Sequence, residues 1–340
     1  MHHQTISQGL PLRTILFLLG IEDSNRVVMR SIGPRGSSCD LHGSIDLHQD
    51  LRHPELKKQV LILGGANAQV PVVSKPDLIF NCITDADSSS AALRLAMQVI
   101  RQHKVPVINR PVHVLKSRRD DVATALADIP GLVVPATVRI KPSSHREILD
   151  ALVQGPVTYP AIIRHVGTHG GSTMLVLHSP KDAPLLEQIA CDGSEYYLIN
   201  FVDFRDPDGL YRKIRLVMVG NQVFARHQLA STHWNVHASA RDGVMAERPE
   251  LVAAEDGFLK AFTTEVFPQL AGRLTMLKQR LKLDYCSIDC SLRPNGDLLL
   301  FEANASGNAL RQANVDKLPH LRMPVQQLRA AVTRMLLQTV

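Results

Sequence analysis

Aromatic residues are scarce. Phe, Trp and Tyr make up 4% of the 340 residues, with a single Trp. The core must therefore be mostly aliphatic, drawn from a hydrophobic content of 45%. No apolar run reaches the ~18–20 residues that a membrane span needs. The apolar stretch 14–21 is too short and leads directly into Glu22 and Asp23, so it reads as a buried first strand. No secretory signal is evident. The five cysteines are scattered without a CxxC pair, and the expected compartment is a reducing cytoplasm. Low-complexity runs and internal repeats are missing too, so disorder is expected only at the ends.

What is present points to a polyanion. The net charge of +6 suits a nucleotide. Nucleic acid is disfavoured, because no basic run carries interleaved aromatics and no zinc-finger spacing occurs. The length suggests two or three compact units at ~100–200 residues each.

The first ~110 residues alternate apolar strands with helical patterns, which implies a parallel sheet. Strands are expected at 14–20, 59–63, 77–81 and 105–109. A helix is expected at 91–103, with Leu93, Met97 and Ile100 on one face. The serines at 88–90 offer its cap. The 81–90 loop then lies at the strand end where open parallel sheets bind ligands. Cys39, His42, His48 and His53 match no common zinc spacing and read as a solvated loop.

Pro130, Pro135 and Pro142 punctuate a connection to further units. Strands are expected there at 133–140, 161–166, 173–177 and 195–204. Hairpins are expected at 211–229 and 285–304, with a helical stretch at 251–281 between them. A last helix is expected at 325–337.

The second hairpin carries the most specific signal. Asn295–Gly296 is a strong two-residue turn dipeptide. A two-residue loop places Asp289 directly opposite Glu302, with Asn304 on the same face. Opposed carboxylates repel unless a proton or a cation intervenes. Two carboxylates and an amide oxygen suit magnesium. The alternative is an exposed hairpin with badly placed like charges, against which the apolar run 298–301 argues.

The first hairpin has the opposite sign. A turn at Gly220–Asn221 places Arg215 opposite Arg226, with Lys213 on the Arg215 face. A polyphosphate would relieve that repulsion. A solvated sheet edge is the alternative. Between two apolar strands, residues 166–173 form a loop holding Gly167, Gly170, Gly171 and Ser172. Such a loop lets backbone N–H groups approach a phosphate. It lacks the Walker ending and is not GxGxxG before a helix. Arg164, just upstream in an apolar strand, is costly there without an anion.

Together these pieces resemble the ATP-grasp superfamily, and within it bacterial glutathione synthetase and the ribosomal-protein glutamate ligases. Residues 159–172 (YPAIIRHVGTHGGS) resemble the family's strand and phosphate-covering loop. Residues 197–202 (YLINFV) resemble the linker that receives adenine, which implies Asn200, Phe201 and Val202. Residues 213–226 resemble the phosphate-contacting hairpin. Asn235 falls where the family has a loop asparagine near the substrate. Asp289, Glu302 and Asn304, in SIDC and FEANASG, match its magnesium ligands, and residues 107–111 (VINRP) resemble its junction out of the pre-grasp domain.

The resemblance implies an α/β (α+β) chain in three parts. These are a parallel-sheet, Rossmann-like pre-grasp domain at 1–112, subdomain A with the glycine loop at 113–200, and subdomain B with the metal site at 201–340. It implies an ATP-dependent carboxylate–amine ligase forming an amide or peptide bond through an acyl phosphate. Its cofactors would be ATP and magnesium, with manganese as a substitute. Its partners would be a small carboxylate and an amine, and a homodimer is the family-level expectation. Arg215 and Arg226 would stabilise the transferring phosphoryl group. Arg119, Arg164 and Lys213 would contact nucleotide. Two family lysines are replaced, one by Arg164 and one near Asp120, where Arg118 and Arg119 stand. An acidic residue near Lys213 is replaced by a base. An ATP-grasp kinase, or a nucleotide-binding partner protein without turnover, are the alternatives.

Overall fold

The computed structural model describes residues 12–33, 36–65, 69–168, 171, 174–311 and 318–339. The first sheet has β1 (Arg13–Gly20) at its centre. A small hairpin, β2 (Val28–Gly33) and β3 (Gly36–Asp40), follows it. Then come β4 (Leu56–Leu63), β5 (Leu78–Asn81) and β6 (Val107–Ile108). The order is β4-β1-β5-β6, and every pairing is parallel. β1 and β5 are almost wholly buried, as continuous apolar runs in a parallel sheet must be. The last strand is shorter than expected, because Asn109 turns the chain at φ 55°.

The helix Ser90–His103 begins where expected, but its serines do not cap it. Ser89 makes no side-chain cap. Instead Asp23 accepts from the Ser90 and Ala91 amides at 3.1 and 2.9 Å. A carboxylate is the better partner at a helix N-terminus.

The expected strand 133–140 divides at Pro135. β7 (Leu132–Val133) and β8 (Thr137–Ile140) lie in different sheets. The proline has no N–H for a ladder and favours a break. β8 joins β9 (Ala161–His165), β10 (Leu175–Leu177) and β11 (Tyr196–Asn200) in the antiparallel order β10-β9-β11-β8. This sheet has its own core of Ile148, Leu152, Val157, Ile163, Leu177 and Leu198.

The third sheet comprises β12 (Tyr211–Val219), β13 (Gln222–Ser231), β14 (Tyr285–Leu292) and β15 (Leu298–Ala305), with β7 at its edge. One aliphatic core joins it to the first sheet, since Leu16 and Ile79 cluster with Leu216 and Ile288. Of the span 113–200, the helix Arg119–Leu126 and β7 belong with this larger body, through Val122, Leu126 and Leu132. The helical stretch across 251–281 is Pro249–Ala261 and Phe267–Leu281 joined by a π turn at Phe262–Val266. The helix Arg322–Gln338 packs Leu328 and Val332 under the first sheet. Among the described residues, no helix is long and apolar enough to cross a membrane.

Candidate functional site

Both hairpins contain a bulge that strand spacing alone does not reveal. At the 285–305 hairpin, the tip is a three-residue loop. The Arg293 amide donates to the Asp297 carbonyl at 2.8 Å, and Gly296 has φ 85°. Pairing therefore starts one residue out, with Leu292 opposite Leu298. A bulge at Phe301 then restores the offset. Asp289 pairs with Glu302, and Ser287 with Asn304. The expected opposition is present, reached by two deviations that cancel. The extra residue gains a packing partner, with the Phe301 ring 4.7 Å from that of Phe204.

At the 211–231 hairpin, the two-residue turn is as expected, with Val219 opposite Gln222. The bulge falls at Arg226, so Arg215 pairs with His227 and not with Arg226. That overturns the expected Arg215–Arg226 opposition. The Arg226 guanidinium turns into the protein and donates to the Ala309 and Arg311 carbonyls at 2.9 and 3.1 Å. Burial, with Arg241 and Arg215 nearby, lowers its pKa to about 10. Carbonyl acceptors satisfy its donors without a counter-ion.

Register now produces a row across the sheet. Arg215 pairs with Asp289 on the adjacent strand, and Asp289 pairs with Glu302. Asp289 is 2% exposed. Arg215 grips it with two hydrogen bonds of 2.6 and 2.9 Å, and Lys213 lies at 3.3 Å. Glu302 is held by Arg119, whose guanidinium also donates to the Phe301 carbonyl at 3.3 Å. The Asn304 amide donates to Glu302 at 2.9 Å. Burial pushes the Glu302 carboxyl up, but Arg119, Arg164 and Arg215 outweigh burial and hold it well below the carboxylate range.

These groups line one cavity of about 810 Å³, within the size range of nucleotide and cofactor sites. Lys213, Arg215, Asp289, Glu302 and Asn304 form its floor. Ile162 and Ile199 from the second sheet and Leu299 and Phe301 from the third add apolar side chains to its lining. Asn200, Phe201 and Val202 line it too. The Asn200 amide oxygen accepts from Thr158, and the Phe201 ring stands edge-on to Trp234 at 5.5 Å.

Arg164 is 7% exposed. Its guanidinium donates to the Thr168 carbonyl, tying strand to loop, and no carboxylate pairs with it among the described residues. Burial and then Arg119 lower its pKa to about 10. Gly167 and Gly171 both have positive φ, 73° and 71°. Gly170 and Ser172 lie outside the described residues. Gly171 is held by Asn235, whose amide donates to its carbonyl at 3.0 Å. A Cβ there would lie 2.4 Å from His237 Nε2, so the approach requires glycine.

Beyond β13, His237 lines the cavity, and the His233 ring lies tilted against that of Trp234 at 5.5 Å. Burial, Lys213 and Arg164 lower the His237 pKa and favour the neutral imidazole. His227 is half-buried, and desolvation with Arg215 and Arg226 nearby pushes its pKa well down.

Spacing alone missed several contributors. The segment 39–53 is not a solvated loop. Its His42, Ser44, Asp46 and Arg52 line the cavity. Among the described residues, no three His, Cys, Asp or Glu side chains cluster as a metal centre, there or elsewhere. Asp87, in the 81–90 loop, crosses to the second sheet. It accepts from Tyr197 Oη at 2.7 Å and pairs with Arg139 at 2.9 Å. Glu255 is fully buried and receives Arg241, His320 and the Gln228 amide. The sequence marked the 81–90 loop as a ligand-facing strand end and singled out His42, but not the partners of Asp87 and Glu255, which lie on elements distant in the chain.

No protein-family model matches the sequence, and no curated protein matches it at a significant level. Solved structures do match. The chain is similar to the VanG D-Ala:D-Ser ligase of Enterococcus faecalis, with TM-score 0.55 and 10% identity over 96% of this chain and 99% of that one. It is similar to a RimK domain ATP-grasp protein of Sphaerobacter thermophilus, with TM-score 0.51 and 12% identity over 95% and 99%. It is also similar to carboxyaminoimidazole ribonucleotide synthase of Aspergillus clavatus complexed with ATP, with TM-score 0.50 and 10% identity over 93% and 77%.

Proposed function

We propose that this chain, which has the ATP-grasp fold, is an ATP-dependent carboxylate–amine ligase. One observation carries the reading. Asp289 and Glu302 are opposed, with Asn304 alongside, in a cavity also lined by Arg119, Arg164, Lys213 and Arg215. That arrangement suits a nucleotide bound with a hard divalent ion.

The donor set fits magnesium, being two carboxylates and an amide oxygen. Asp289, Glu302 and Asn304 would hold it. When bound, it would neutralise charge on the terminal phosphates. The chain's own groups do the rest. Ile162, Ile199, Leu299 and Phe301 enclose the adenine, and the 200–202 backbone borders its edge. Arg164 and Lys213 bind the phosphates. Arg215, fixed on Asp289, faces the transferring phosphoryl group and the tetrahedral centre that follows. A carboxylate oxygen of the substrate attacks the γ-phosphorus and ADP leaves, giving an acyl phosphate; the amine then attacks the acyl carbon, and phosphate and the amine's proton leave. Gly171 lines the cavity, where Asn235 holds it by its carbonyl, and the loop's role would be to exclude water and protect the acyl phosphate. Arg226 supports the 309–311 segment from within and does not touch the reacting groups.

The test is ADP and phosphate release with pooled amino acids and small carboxylic acids, with and without hydroxylamine. Hydroxamate formation is expected. ADP release that needs a hydroxyl acceptor and gives no hydroxamate marks a kinase instead. ATP binding with no ADP release under any condition refutes both.

A further inference from the structure

The two carboxylates of the site are held in different ways. Asp289 is gripped by Arg215 from the next strand of the same sheet, so that pair is fixed by the ladder. Glu302 is held by Arg119, which stands at the start of the helix Arg119–Leu126, outside the sheet. Arg119 lines both the main cavity and the small cleft beneath the glycine loop. It can therefore reach either the carboxylate or a phosphate.

Charge balance bears on when each partner is preferred. Four cations, Arg119, Arg164, Lys213 and Arg215, act on the paired carboxylates, and the cavity as a whole is lined by six cations (with Arg52 and Arg311) against five carboxylates (with Asp40, Asp46 and Asp50). A free divalent cation would add to the positive charge beside Arg119 and Arg164, which is unfavourable. A nucleoside triphosphate carrying its metal brings net negative charge and offsets it. It also offers the guanidinium a phosphate in exchange for Glu302.

We infer that Arg119 makes the metal site conditional on nucleotide. It occupies Glu302 when the cavity is empty and releases it to the metal when phosphates arrive. This rests on the nucleotide reading given above. Arg119 is a positioning residue in this role, acting through Glu302.

The test is Mn2+ binding to the full chain, followed by electron paramagnetic resonance without turnover. Wild-type protein without nucleotide should leave Mn2+ mostly free. Adding a non-hydrolysable ATP analogue should tighten Mn2+ binding by roughly tenfold or more. Arg119→Met without nucleotide should bind Mn2+ about tenfold more tightly than wild type, because Glu302 is then unpaired. Arg119→Lys keeps the charge but loses the fork, and should gain less. It also serves if the methionine variant does not fold. The inference is overturned if nucleotide-free wild type binds Mn2+ as tightly as the analogue complex, or if neither variant gains affinity. Failure of the analogue to bind wild type at all overturns the nucleotide reading, and the inference with it.

Discussion

Glu302 combines a structural and a chemical role in one side chain. Its pKa is held well below the carboxylate range by Arg119, Arg164 and Arg215, against the opposing effect of burial. A depressed carboxyl stabilises the fold once pH exceeds its unfolded value. That contribution is lost as pH falls through the ordinary carboxylate range toward the folded value. Thermal unfolding between pH 7 and pH 3 should therefore show a falling Tm for wild type. Glu302→Gln should show a shallower fall, because the ionisable group is gone. The same variant should lower turnover on the order of a hundredfold or more, measured as ADP release. Equal pH slopes would show that the arginines do not stabilise the ionised form. Gly171 offers a second single-residue test. Alanine there faces positive φ and the atoms of His237 and Asn235 at 2.4 and 2.7 Å. The strain is about 1–2 kcal/mol for backbone alone. Gly171→Ala should weaken protection of the 161–168 segment from hydrogen exchange with nucleotide bound. Unchanged protection would mean the loop does not close on Asn235.

Among the elements, the two hairpins separate what sequence reveals from what it hides. Asn295–Gly296 marks a turn correctly, but the dipeptide serves two-residue and three-residue loops alike. Local chemistry therefore fixes the turn and leaves the register open by one. The bulge at Phe301 settles that register through Phe204, a residue almost a hundred positions away. The opposition of Asp289 and Glu302 was legible because loop and bulge cancel. That of Arg215 and Arg226 was not, because the Arg226 bulge has no loop change to offset it. Parallel strands β1 and β5 were legible throughout, since burial on both faces forces an apolar run. The Pro135 break was not read, since a single strand was expected across 133–140; the missing amide favours the break, but which sheet each half joins depends on tertiary packing. The three-residue loop makes its own prediction. Gly296 has φ 85°, and a Cβ added there would meet nothing within 4 Å, so only backbone strain is at stake. Gly296→Ala should lower unfolding free energy by about 1 kcal/mol in urea titrations, with an unchanged slope. No change would contradict the left-handed loop.

At the scale of the molecule, the sheet carrying the glycine loop has a core separate from that of the other two sheets. The first and third sheets share continuous aliphatic cores. A buried polar joint reinforces them, in which Asn109 bonds the Tyr285 carbonyl at 2.6 Å and Ser306 at 2.8 Å. The sheet carrying the glycine loop has a small core of its own. Small separate cores open at lower free energy than shared ones. Asp87 ties this sheet to the first sheet, through Tyr197 on β11 and Arg139 on β8. Burial raises the Asp87 pKa, a cost that Tyr197, Arg139 and Arg118 partly offset. The tie should therefore govern how often the loop-bearing sheet lifts from the cavity. Asp87→Ala should speed hydrogen exchange in β9 and β11 by an opening free energy of about 2 kcal/mol, while β1 and β14 stay protected. Asp87→Asn still accepts from Tyr197 and should fall between. Faster exchange in all four strands would show that the cores unfold together and that the division between them is wrong. Unchanged exchange in β9 and β11 would show that the sheet is held by apolar contact alone.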